Sequence, residues 1–191
     1  MGPALAVGEN DEDLRALAQE EQATLEAHQA ELEQQLQIRW KILVPKFAQL
    51  FKRGYIYDWN VCDWFCVRVL GPMIKENGMP CAKAIAQWRS SKNVWQARAS
   101  VVAFVNLAKI REFTPLILRS CAILIKREER FAKTAVGWIL RELSKSDKNI
   151  VIGFIEKSQK WFTKESMDNA IKKLTSSEKH RLRSAVIPIF R

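Results

Sequence analysis

From Ile38 onward, apolar residues recur at intervals of three and four, and no stretch alternates as a half-buried strand would. Ile38, Ile42, Leu43, Phe47, Leu50 and Phe51 mark one helix over 38–53, with Gly54 as its stop. Asp58 is placed to cap a helix from Trp59 to about Ile74, which Pro72 kinks or ends late. A shorter helix is expected from Pro80 to Trp88, and Asn93 caps another from Val94 to about Lys109. Thr114-Pro115 reads as a cap followed by proline at the first helical position, opening a helix to about Lys126. Further helices follow over about Arg130–Leu143, Lys148–Glu156 and Thr163–Leu174. Thr175 and Glu178 form a capping box for the last one, which ends before Pro188.

The class is therefore all-α. Tandem helices joined by short polar loops suggest antiparallel pairs. The Asn93–Lys126 and Arg130–Glu156 units read as two helical repeats of roughly HEAT length. A curved, HEAT-like solenoid is expected, with its concave face as the binding surface. Ahead of it the pattern thins. Residues 1–10, with Gly2, Pro3 and Gly8, read as disordered. Residues 11–37 carry only the sparse stripe Leu14, Leu17, Leu25, Leu32 and Leu36 among Glu, Gln and Ala. The division expected is an acidic, partly disordered or helical tail over 1–37 and a repeat domain over 38–191. The tail is a solvated helix, a docking element for a protein partner, or a segment that folds back on the basic body.

Charge sharpens that division. The chain of 191 residues has a formal net charge of +10, but residues 1–36 hold one basic residue and nine acids. The remainder holds 30 basic and 12 acidic residues, a field that favours a polyanion such as nucleic acid. Cys62, Cys66, Cys81 and Cys121 lie in apolar stretches without the paired spacing of a zinc site, so no metal is expected. They read as reduced thiols of an intracellular protein, nuclear or cytoplasmic. No apolar run approaches a membrane span, and the acidic N-terminus does not resemble a secretory signal. A monomer is expected.

Three segments carry candidate chemistry: Trp59-Asn-Val-Cys-Asp63, Trp95-Gln-Ala-Arg98, and Phe131 through Gly137-Trp138 to Arg141-Glu142. Each sets a tryptophan one helical turn from a charged group. In a solenoid, equivalent helices stand side by side, so the three are expected to converge on one strip. An indole face beside a carboxylate attracts a cation. Asp63 has a second reading, as a structural ion pair with Arg98 or Arg68. Lys126, Arg127, Arg130 and Lys133 form a basic cluster at one inter-helix turn, either a solvated loop or a set of phosphate contacts. Arg141-Glu142 reads as a structural inter-repeat ion pair rather than a DNA contact, and Lys172, Lys173, Arg181 and Arg183 as a second basic cluster.

These three segments, in this order and near this spacing, resemble the DNA alkylation repair enzyme family, the AlkD-like HEAT-repeat alkylpurine DNA glycosylases. The similarity runs through about Trp59–Leu174. It implies a C-shaped helical stack that cradles duplex DNA and excises N3- and N7-alkylated purines without flipping the base. It also implies that Asp63 faces the lesion's deoxyribose, that Trp59 and Trp138 line the cleft, and that Arg98 contacts the DNA backbone. The chemistry suits these residue types. An alkylated purine is already cationic and leaves readily, and a carboxylate stabilises the sugar oxocarbenium and activates water. No cofactor is needed. Family members carry several helices ahead of the first motif, whereas here 58 residues precede Trp59. The alternative reading is accordingly a non-catalytic HEAT-like module that binds nucleic acid or protein.

Overall fold

The computed structural model describes residues 9–184, and among these there is no strand. Expectations for residues 1–8, for the Leu36 side chain and for the chain end at Pro188 fall outside the described residues. The chain divides into two units, Met1–Trp40 and Lys41–Arg191.

Helix α1 spans Glu9–Lys52, so residues 9 and 10, expected to be irregular, are helical. Within the first unit, Leu14, Leu17, Leu25 and Leu32 are exposed, as a solvated helix requires. Local bonds one turn apart support it, such as Gln22 Nε2 donating to Glu26 Oε1 at 2.8 Å. Pro45, inside α1, removes one rung of its ladder.

The second unit is a stack of helix pairs. Helices α2 (Trp59–Phe65), α4 (Val94–Val102), α6 (Arg130–Leu143) and α8 (Lys164–Ala170) pack side by side in chain order. Helices α3 (Gly71–Ala86), α5 (Thr114–Leu124), α7 (Lys148–Ser158) and α9 (Ser176–Ser184) form a second row, with α3, α5 and α7 against the first. This is the all-α solenoid that the periodicity predicts. Phe51, at the end of α1, packs edge-on against Phe65 and Trp88 and closes the first layer.

Composition accounts for the layering. Helix α4 buries Ala97, Arg98, Ala99, Ser100, Val101 and Val102, nearly all round, because it has neighbours on several sides. Helix α6 buries Ala132, Ala135, Val136, Ile139, Leu140 and Leu143, one clean stripe. Several boundaries differ from expectation. The separate helix expected from Pro80 to Trp88 is the second half of α3, which kinks at Gly78 (φ 63°) and runs on to Ala86. The helix opened by Trp59 becomes a π turn over Cys66–Leu70, where Gly71 N–H bonds to the Cys66 carbonyl. Pro72 explains it, since proline has no N–H for the Arg68 carbonyl and its ring pushes that carbonyl away. Helix α4 stops at Val102 rather than near Lys109, and 3₁₀ turns over Val105–Leu107 and Arg111–Phe113 bury Phe104 against Phe113. The second of these turns leads straight into α5, so Thr114 lies inside the helix and makes no side-chain cap.

Helices α6 and α8 meet at a glycine. A Cβ on Gly137 would lie 2.6 Å from the Ser166 carbonyl oxygen and 3.2 Å from Asn169 Cβ. The Gly137→Ala variant is therefore expected to lose about 1–3 kcal/mol by overpacking, despite alanine's better helix propensity. Urea unfolding measures this; a stabilised variant would show that the helices separate at no cost.

Candidate nucleic-acid-facing site

The site begins at two helix caps. Asp58 accepts the Val61 N–H at 2.9 Å and starts α2, which carries Trp59 and Asp63 one turn apart. Asn93 accepts from the N–H groups of Trp95 and Gln96, at 2.9 and 3.0 Å, and starts α4. Its amide also donates to the Phe51 carbonyl at 3.1 Å, which fixes α4 against the end of α1. The buried Cys62 thiol donates to the Trp95 carbonyl at 3.4 Å, aligning α2 with α4. Burial pushes the neighbouring Cys66 thiol well above its ordinary range, so it stays protonated and unreactive.

With the helices so registered, Asp63 meets Arg98. Arg98 donates from Nε to Oδ1 at 2.7 Å and from Nη2 to Oδ2 at 2.8 Å, a bidentate pair. Its Nη1 donates to the Phe131 carbonyl at 2.7 Å and to Thr134 Oγ1 at 3.2 Å, so one guanidinium ties α2, α4 and α6 together. The Trp95 and Phe131 rings meet beside it, tilted at 45° with centroids 4.9 Å apart. Arg98 thus places four of its five donors inside the protein. Its side chain is 6% exposed and that of Asp63 15%. Of the two ion-pair readings for Asp63, the geometry selects Arg98; Arg68 is exposed, within the π turn.

Beside this pair opens a groove of about 310 Å³, lined by Trp59, Arg98, Arg130, Phe131, Thr134 and Glu165; Arg98 reaches it, whereas Asp63 lies behind and does not line it. Trp59 is 54% exposed, an indole presented to solvent rather than packed in the core. Trp138 is half-buried on α6, one turn beyond Thr134, and does not line the groove. Trp64 is also exposed and Trp88 is buried.

The basic cluster separates into different situations. Arg127 donates to the Ser91 carbonyl at 2.6 Å and pairs with Glu129, whose carboxyl is held below its usual range by that guanidinium. Arg130 forms a bidentate pair with Glu165, at 2.7 and 2.8 Å, and this hydrogen-bonded partner lowers the Glu165 carboxyl's pKa. Lys133 donates to the Trp161 carbonyl at 2.5 Å. Lys126 is exposed and lies 4.8 Å from the centroid of the Trp161 ring. Arg141 pairs with its neighbour Glu142 within α6 rather than across repeats; its link to the next repeat is the bond to Asn169 Oδ1 on α8.

Sequence reasoning passed over Phe131, Thr134 and Glu165 as groove residues, and Trp161 altogether. The signal was repeat spacing. Asp63 and Arg98 are 35 residues apart, as are Arg130 and Glu165; Arg98 and Thr134 are 36 apart. In a solenoid that separation puts two residues on neighbouring helices at the same height. No group of three or more metal-ligating side chains occurs among the described residues. None of the described helices is long and apolar enough to cross a membrane.

Fold and groove define an α-solenoid repeat protein with an acid–guanidinium pair set into a cationic body. The family model described as DNA alkylation repair enzyme matches residues 9–174, and the chain belongs to that family. Membership gives it a role in repairing alkylated DNA. No curated protein matches the chain.

Proposed function

We propose that this chain is a DNA glycosylase of base excision repair that removes N3- and N7-alkylated purines from duplex DNA without flipping the base. The observation that carries the reading is the Asp63 carboxylate, held rigid by a buried arginine, one helical turn from Trp59, whose exposed indole lines an open groove. A cationic base is attracted to the exposed indole face. As its glycosidic bond breaks, positive charge develops on the sugar. A fixed carboxylate stabilises that charge and orients the attacking water. Both Asp63 oxygens accept from Arg98, yet each retains a lone pair for water. The openness of the groove suits a lesion that stays in its stack.

In this reading Asp63 is the catalytic residue and Trp59 the lesion-facing aromatic. Trp138, half-buried, joins the lesion only if the α6 face beyond Thr134 is covered by DNA. For Arg98 the geometry favours a role other than the backbone clamp, because gripping a phosphate would take it from Asp63. We assign it as the positioning residue for that carboxylate. Phosphate contacts then fall to the cluster at the repeat turns, where Lys126 is the most available and Arg127, Arg130 and Lys133 are engaged. The free, buried cysteines favour an intracellular setting, nuclear or cytoplasmic. The acidic first unit, with its exposed leucines, remains the segment suited to a protein partner.

The test is release of N7-methylguanine and N3-methyladenine from methylated duplex DNA. Wild-type protein is expected to release free base well above the spontaneous rate, without added metal. Salt-sensitive duplex binding with no base release would instead establish the non-catalytic module.

A further inference from the structure

Beside the groove, two lysines meet on one indole. Lys126, from the turn after α5, lies 4.8 Å from the Trp161 ring centroid, and Lys160 lies 4.5 Å from the same centroid. Both are exposed, and neither forms an ion pair among the described residues. Lys133, from the first turns of α6, donates to the Trp161 carbonyl and so ties that residue to α6. Three ammonium groups thus gather around one residue. The neighbouring Arg127 and Arg130, by contrast, are matched by Glu129 and Glu165.

Two ammonium groups on one ring repel each other, and a solvated lysine has ample rotamer freedom to move away. The indole offsets part of that cost by attracting both ammonium groups, by about 0.5–1 kcal/mol each at an exposed site. What the arrangement lacks is an anion. From this geometry we infer that Lys126, Lys160 and Trp161 form a phosphodiester-binding subsite for duplex DNA. The indole acts as a platform for the two ammonium groups, which together take the phosphate.

The subsite's place in the fold fits the purpose. Lys126 comes from the turn joining α5 to α6, and Lys160-Trp161 from the turn joining α7 to α8. These are equivalent turns of successive repeats, so they lie at one edge of the stack. Lys133 is next to Thr134, and Trp161 is four residues ahead of Glu165; both Thr134 and Glu165 line the groove. A strand whose damaged nucleotide sat at the groove would pass this edge with its backbone. The subsite rests on the nucleic-acid half of the proposed function and is independent of its chemistry.

The experiment is a salt titration of duplex DNA binding for the full chain, comparing wild type with Lys126→Ala/Lys160→Ala and with Trp161→Phe. Each lost phosphate contact lowers the slope of log K against log salt by about 0.9. The double lysine variant is expected to lose about one to two units of slope, with its melting temperature unchanged. Trp161→Phe keeps a ring but a weaker π-face, and is expected to weaken binding in the same direction by a smaller amount. A control at Lys148, which pairs with Glu178, is expected to leave the slope alone. An unchanged slope in the double variant would overturn the subsite even if wild type releases alkylated base. A reduced slope together with no base release would uphold the subsite and sink the glycosylase reading. Absence of duplex binding by wild type at low salt would overturn both.

Discussion

Arg98→Ala is expected to cost the fold about 3–5 kcal/mol, the range seen when one partner of a buried ion pair is removed. For a chain of this size that corresponds to a melting-temperature drop on the order of 10 °C. Several losses combine. The Asp63 carboxylate, little exposed, is left without either of its donors. The Phe131 carbonyl and Thr134 hydroxyl lose the bond that ties α6 to α4. The arginine stem leaves a void within a helix whose other inward residues are mostly small. Arg98→Lys restores a charge, but one ammonium cannot bond both carboxylate oxygens and reach Phe131, so an intermediate loss is expected. Arg98→Ala/Asp63→Ala should recover part of the stability of Arg98→Ala, because no buried charge is then orphaned. Thermal and urea unfolding of the three variants measure this. A single variant that melts like wild type would show that the pair carries no structural load.

The helices that position this pair were legible because their starts are chemically marked. Asp58 and Asn93 are short polar side chains ahead of apolar periodicity, and each caps the helix that carries one partner. The shared strip was legible in outline, because solenoid geometry turns a repeat of some 35 residues into lateral adjacency. The π turn after Phe65 was less so. Pro72 signals a disturbance there, but whether a helix ends, kinks or widens depends on what packs against it, and here Leu70 and Cys66 are fully buried. Charge partners were the least legible. Arg127 and Arg130 look alike in sequence, yet one bonds backbone of an earlier turn and the other a glutamate 35 residues on. Likewise Lys160-Trp161 has no local pattern that distinguishes it. Its meaning comes from Lys126 and Lys133, which only the fold brings to it.

Asp63→Asn is expected to lower base release from methylated duplex DNA by a factor of about 10²–10⁴, the usual scale for losing a positioned catalytic group. The substitution nearly preserves shape and removes charge. Developing positive charge on the sugar then meets a neutral dipole, and the water loses its proton acceptor. There is a structural consequence too. The new amide presents a donor to Arg98, where Oδ1 and Oδ2 each accept one of its N–H groups. Some stability is therefore lost with the charge, and an activity loss alone would not separate chemistry from folding. Two measurements separate them. Duplex binding, which in this reading depends on lysines at the turns, is expected to remain within a few-fold of wild type below the variant's melting temperature. Asp63→Glu keeps the charge but advances the carboxylate by one methylene, and it is expected to retain more activity than Asp63→Asn. If instead Asp63→Asn releases base at the wild-type rate, Asp63 is only Arg98's structural partner. If Asp63→Glu and Asp63→Asn fail equally while both bind DNA, position outweighs charge. The carboxylate's role would then lie in orienting water more than in stabilising the sugar cation.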